Sequence, residues 1–111
     1  MEQGLREEIE RLHAHLCRGL ADPIRIAILY ELADGRKNVS QLVNDLGQSQ
    51  STVSRHLRIL RERELVVADR EGTMVYYSLA DERIVQALDL LRQVLADRLR
   101  QRRRLVEALA R

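Results

Sequence analysis

The sequence predicts a mainly helical domain with one small β-element, and three observations carry that prediction. Its apolar residues, 45% of 111, are aliphatic, with no Phe and no Trp; a short chain rich in Leu, Ile and Val favours packed helices over a large sheet. Apolar positions recur at helical spacing in five separate stretches. Only two short runs, on either side of Glu71-Gly72-Thr73, are rich in β-formers. The length suits a single domain, residues 1–111, whose modest core gains from a partner subunit.

Residues 1–20 place Leu5, Ile9, Leu12, Leu16 and Leu20 on one stripe of an amphipathic helix. Asp22-Pro23 is an N-cap followed by proline at the first helical position, and the helix it starts runs to about Ala33. Ile24, Ile26, Ala27, Ile28, Leu29, Tyr30 and Leu32 surround this second helix, which assigns it to the centre of the domain. Asp34-Gly35 stops it. After a polar loop, Val39, Leu42, Val43 and Leu46 mark a short third helix.

Gly47-Gln48 separates that helix from one capped by Ser49, so residues 39–63 read as a tight helix-turn-helix. The fourth helix turns Val53, Leu57 and Leu60 inward and carries Gln50, Ser51, Ser54, Arg55, Arg58 and Arg61 on its opposite face. Short hydroxyls and amides beside guanidiniums suit the base edges and phosphates of a DNA major groove. A merely solvated polar face is the alternative.

Val66–Arg70 and Met74–Leu79 form a β-hairpin spanning 66–79, which must pack on helices to be stable. Asp81 can cap a last helix, residues 82–109, about 40 Å long at the standard rise. Its stripe of Ile84, Leu88, Leu91, Leu95, Leu99, Val106 and Leu109 is longer than a domain of this size buries internally. A second copy is therefore expected to cover Leu5, Ile9, Leu12 and Leu16 of the first helix with Ile84, Leu88, Leu91, Leu95 and Leu99 of the last. Arg98 and Arg102 fall beside and on the same stripe; either the seam frays after Leu99 or these guanidiniums meet acidic groups across it. Helix, helix, helix-turn-helix, β-wing and long helix together describe a winged helix-turn-helix with dimerising ends.

The net charge of +2 is unevenly spread: Arg98 to Arg111 holds six Arg and one Glu, a net +5, which leaves −3 for residues 1–97. Nucleic-acid binding must therefore rest on a local site and not on overall charge. The one cysteine, Cys17, excludes an internal disulfide and fits a reducing compartment. No apolar run is long enough to span a bilayer and the start is charged, so a cytoplasmic protein without a membrane partner is expected.

Three stretches in order, Leu20–Leu29 (LADPIRIAIL), Ser49–Leu57 (SQSTVSRHL) and Val75–Leu79 (VYYSL), resemble the ArsR/SmtB repressors, and the likeness runs from about Leu16 to Asp81. The resemblance implies a homodimeric winged helix-turn-helix, paired through its first and last helices, that binds operator DNA near a promoter and lets go when an inducer binds. It puts the DNA-reading positions on Gln48, Ser49, Gln50, Ser51, Ser54, Arg55 and His56, with the wing tip from Arg70 to Thr73 near the flanking minor groove or backbone. The candidate DNA-binding set is thus these residues with Thr52 and Arg58 of the same helix, and Arg70 and Thr73 of the wing. For His56, a structural hydrogen bond stands beside a DNA contact as a reading.

The switch is less legible. Where metal-sensing members of the family carry a cysteine pair before the turn, this chain has Asn38 and Ser40, which do not bind a soft metal. The last helix contains no His. No metal or other cofactor is therefore expected. In the first helix, His13 and Cys17 share one flank of the apolar stripe and His15 lies on the other side. Cys17 is either a small buried hydrophobe or a sensor of oxidants or electrophiles near a dimer interface, with His13 beside it. An unknown small-molecule or redox effector is the corresponding partner.

Two rival classes compete. An enzyme lacks support, because Ser54 and His56 point apart on a helix and no phosphate loop or cofactor signature is present. A winged helix used only for protein contact, without its own operator, would show no salt-dependent DNA affinity.

Overall fold

The computed structural model describes residues 1–111. Its elements are α1 (Gln3–Arg11), a π-helical continuation (Leu12–Cys17), α2 (Pro23–Ala33), β1 (Lys37–Asn38), α3 (Val39–Leu46), α4 (Gln50–Glu62), β2 (Val66–Glu71), β3 (Met74–Leu79) and α5 (Arg83–Leu109). The sheet order is β1-β3-β2, antiparallel throughout. This is the mainly helical winged helix-turn-helix that the sequence predicts. No helix is long and apolar enough to cross a membrane.

The caps fall where the residues demand them. Asp22 Oδ1 accepts from the backbone N–H groups of Ile24 (2.8 Å) and Arg25 (3.2 Å), with Pro23 at the first helical position. Asn38 and Gln41 close a reciprocal capping box at the start of α3. Gly47, at φ 63°, ends α3 in the left-handed conformation that makes the tight turn possible. Ser49 Oγ accepts from Thr52 N–H at 3.2 Å to open α4. Although Glu82 precedes α5, it is the Asp81 carboxylate that accepts from Arg83 N–H, at 2.9 Å.

α2 is central, as its apolar surround predicts. Its Ile28, Leu29 and Leu32 meet Leu42 of α3, Val53, Leu57 and Leu60 of α4, Leu65, Val66, and Leu88 of α5 in one buried cluster. Burial of each such side chain contributes about 1.5–3 kcal/mol. Tyr30 Oη donates to Asp89 at 2.6 Å, and the Arg92 guanidinium stands 5.0 Å over the Tyr30 ring, so the first turns of α5 are fastened to α2. Burial, followed by the bond to Asp89, raises the Tyr30 pKa.

Four expectations are corrected. The polar loop after Gly35 contains β1, so the wing is three-stranded: Lys37 pairs with Tyr77 and Asn38 with Tyr76. Lys37 is held there by Asp45 (2.8 Å) and Glu31 (2.6 Å), whose hydrogen bonds hold its pKa well above the usual lysine range. The hairpin turn is two residues, not three, because Glu71 pairs with Met74 and leaves Gly72-Thr73 between them. Gly72, at φ 62°, supplies the positive φ that such a turn needs at its first central position.

The first helix is not α-helical to residue 20. From Leu12 it widens into a π-turn in which Arg18 N–H donates to His13 O, five residues back, at 3.1 Å. Lastly, Leu88 is only 6% exposed and belongs to the protomer's own core, so it is removed from the expected dimer interface. Ile84 and Leu16 are half-buried and pack against that same core.

Candidate nucleic-acid interface

α4 is amphipathic in the sense that the site requires. Val53, Leu57 and Leu60 lock one side into the core, and Gln50, Ser51, Ser54, Arg55, Arg58 and Arg61 are exposed on the other. At its start Ser49 is exposed, and its hydroxyl donates to Thr52 Oγ1 at 2.8 Å and lies 3.3 Å from Ser51 Oγ. Thr52 is consequently half-buried, with its hydroxyl committed to the cap. Gln48 is also half-buried, lining a cavity of about 140 Å³ with Pro23, Ile24, Ala27 and Leu46. An exposed helix N-terminus with free amides suits a phosphate, and the amide and guanidinium groups that follow suit base edges.

His56 is placed differently from a DNA contact. It is 5% exposed, facing α2. Arg25 Nη1 lies 3.2 Å from His56 Nδ1, and because Arg only donates, the ring accepts at Nδ1 and carries its proton on Nε2. Asp22 Oδ1 stands 3.9 Å from Nε2. Burial, the largest influence, holds the ring's pKa below the ordinary 6.5 against the pull of Asp22, with Arg25 and Arg55 adding to the depression. Asp22 is itself shifted: burial raises its pKa, but the backbone N–H groups it caps, with His56 and Arg25, bring it below the usual value. Helical spacing carried this signal, since His56 stands three residues after Val53 and four before Leu60.

At the wing, Arg70 and Thr73 are exposed at the tip. The tip is held by Arg36, whose Nη1 and Nη2 donate to the two Glu71 carboxylate oxygens at 2.8 Å each. That pair lowers the Glu71 pKa, and the Arg36 guanidinium also stacks 4.3 Å over the Tyr76 ring. This clamp has no signal in the sequence, because its members are 35 residues apart. Replacing Arg36 with Ala should free the tip and weaken DNA binding roughly two- to fivefold, as befits a half-exposed pair. Fluorescence titration with DNA checks this; unchanged affinity would mean that the wing makes no contact worth ordering.

Cys17 is exposed, so within the protomer it is not the small buried hydrophobe of one reading. His13 is likewise exposed. No three His, Cys, Asp or Glu side chains gather where they could hold a metal. Asn38, at one position where metal-sensing proteins of the resembled family carry Cys, uses its side chain to cap α3.

Comparison with known proteins agrees with this geometry. Residues 22–67, which include all of α2, α3 and α4, match the family described as "Bacterial regulatory protein, arsR family". The transcriptional regulator CmtR of Mycobacterium tuberculosis is 49% identical over 81 residues, 73% of this chain and 69% of that protein. Its solved structure, described as a cadmium metal-sensor, superposes with a TM-score of 0.63, covering 74% of this chain and 85% of that one. NolR from Sinorhizobium fredii is 32% identical with a TM-score of 0.74, covering 85% of this chain and 93% of that one. A homodimeric winged helix-turn-helix DNA-binding domain from Mycobacterium bovis is 29% identical with a TM-score of 0.75, over 89% of this chain and 91% of that one.

Proposed function

The chain belongs to the arsR family of bacterial regulatory proteins and is a DNA-binding transcriptional regulator, and from that premise we propose that it is a cytoplasmic, dimeric repressor released from its operator by an inducer or redox signal. The observation that carries this reading is the two-sided α4. One side is fixed by the core, while Gln50, Ser51, Ser54, Arg55 and Arg58 stand free. In the proposal Gln50 and Arg55 read base edges, Ser49, Ser51, Ser54 and Arg58 hold phosphates, and Arg70 and Thr73 touch the flanking DNA. Gln48 and Thr52 support the turn and the cap.

The dimer is supported by apolar surface that the protomer leaves uncovered. Leu91, Leu95 and Leu99 of α5 are 64%, 59% and 55% exposed, and Leu5, Ile9 and Leu12 of the first helix are exposed as well. Contiguous exposed apolar stripes mark interaction surfaces, and the Mycobacterium bovis relative is homodimeric. The cadmium sensing ascribed to CmtR does not carry over. A soft metal is held by thiolates, and this chain has one thiol per protomer.

The test is titration of the protein against the DNA upstream of its own gene at several salt concentrations. A repressor of this kind loses affinity with a log-log slope near −0.9 for each phosphate contacted. Salt-independent or absent binding would instead favour a winged helix used for protein contact. The releasing signal, in this proposal, acts on the first helix, where Cys17 is exposed. Cys17→Ser should abolish any release by oxidants; a response that survives places the sensor elsewhere.

A further inference from the structure

The last carbonyls of the first helix and its exit also take donors from elsewhere in the fold. Ala14 O and His15 O both accept from the Arg63 guanidinium at the end of α4, the second at 3.3 Å. Arg18 O and Gly19 O accept from Arg25, at 3.1 Å through Nη2 and 2.7 Å through Nε. The remaining terminal nitrogen of Arg25, Nη1, points to His56 Nδ1 on α4 at 3.2 Å. One guanidinium therefore spans from the exit of the first helix to the middle of the reading helix. The approach is close: a Cβ on Gly19 would meet Leu65 Cδ1 at 2.6 Å and Arg63 Cδ at 3.0 Å.

His56 is the only polar or ionisable side chain among the buried residues. A leucine there would serve packing equally well and would desolvate no ring nitrogen. What the histidine adds is an acceptor for Arg25 on the same helix that presents Arg55 and Ser54 outward. We propose that Arg25 and His56 are positioning residues that couple the first helix to the reading helix. A shift at the dimer seam is thereby transmitted to the angle at which α4 meets DNA. This inference rests on the reading of α4 as the DNA contact and of the first helix as part of the dimer.

Charge decides how the coupling responds to acid. The groups facing the ring are Asp22 and Arg25 from the start of α2 and Arg55 from its own helix; the carbonyls of Arg18 and Gly19 accept from Arg25 and hold it in place. Protonation turns Nδ1 from an acceptor into a donor aimed at a guanidinium, which breaks the bridge. The bridge is thus intact at neutral pH and is lost as pH falls through the ring's depressed pKa. Because the unfolded ring takes up its proton at the ordinary 6.5, stability also begins to decline below that point.

His56→Leu and His56→Asn distinguish positioning from packing. The leucine removes the acceptor and keeps the volume; asparagine keeps an acceptor near the Nδ1 position and does not titrate. His56→Leu is expected to lose about tenfold in operator affinity while remaining a dimer. His56→Asn should recover most of that affinity and should lose the acid-sensitive drop that the wild type shows below pH 6.5. Amide exchange gives the second readout: operator binding should protect Arg18–Ala21 in the wild type and in His56→Asn but not in His56→Leu, because coupling is reciprocal. Should His56→Leu fail to fold, the pH profile of His56→Asn against the wild type still decides. Wild-type affinity, pH profile and exchange in folded variants would overturn the inference and leave the DNA reading standing. If the wild type itself binds no operator, it is that reading which fails.

Discussion

Replacing Leu95 and Leu99 together with Asp will give a monomer that binds its operator roughly 10²–10⁴-fold more weakly than the wild type. Both side chains are more than half exposed on α5, in the part of that helix which has left the core behind. Ile84, Val85 and Leu88 pack on α2 and its neighbours, and Tyr30 and Arg92 fasten the next turn. From Leu90 onward the large apolar residues face outward. Two carboxylates on each side of a proposed two-fold seam would be desolvated without partners, a penalty of several kcal/mol. The folded protomer should survive, because neither residue touches its core cluster. Sedimentation measures the oligomer and titration the affinity. A variant that is still a dimer would move the seam away from α5.

Replacing Gln50 or Arg55 with Ala should remove about 1–3 kcal/mol of discrimination between operator and random DNA. Both side chains are exposed and contribute nothing to the buried cluster, so thermal stability should stay within about 0.5 kcal/mol of the wild type. The effect has a direction that a phosphate contact lacks. A guanidinium on a phosphate strengthens binding to every sequence alike, whereas a bidentate contact to guanine strengthens one. Equal loss on operator and random DNA would therefore reassign these residues to the backbone.

Much of this was legible in the chain because it is local. Asp22-Pro23, Gly47 and Ser49 set helix ends within three or four residues of themselves, and the structure has those ends. The hairpin followed from two β-prone runs and an intervening glycine. The misplaced elements depend on partners distant in sequence. β1 exists because Tyr76 and Tyr77 offer a sheet edge, and the π-turn ends against Arg63 and Leu65. Leu88 lies on the same stripe as Leu91 and Leu95, and periodicity gives no sign of which protein surface covers each turn. His56 is legible in the helical period, because its spacing from Val53 and Leu60 puts it on the inner face of α4.

Whether the free face of α4 reads bases is decided by the affinity of wild type and Arg55→Ala for an operator set in which each base pair is changed in turn. Arg55→Ala should become indifferent to one base pair and its symmetry mate and keep the wild-type preference elsewhere. An unchanged preference at every base pair would contradict base reading by this face.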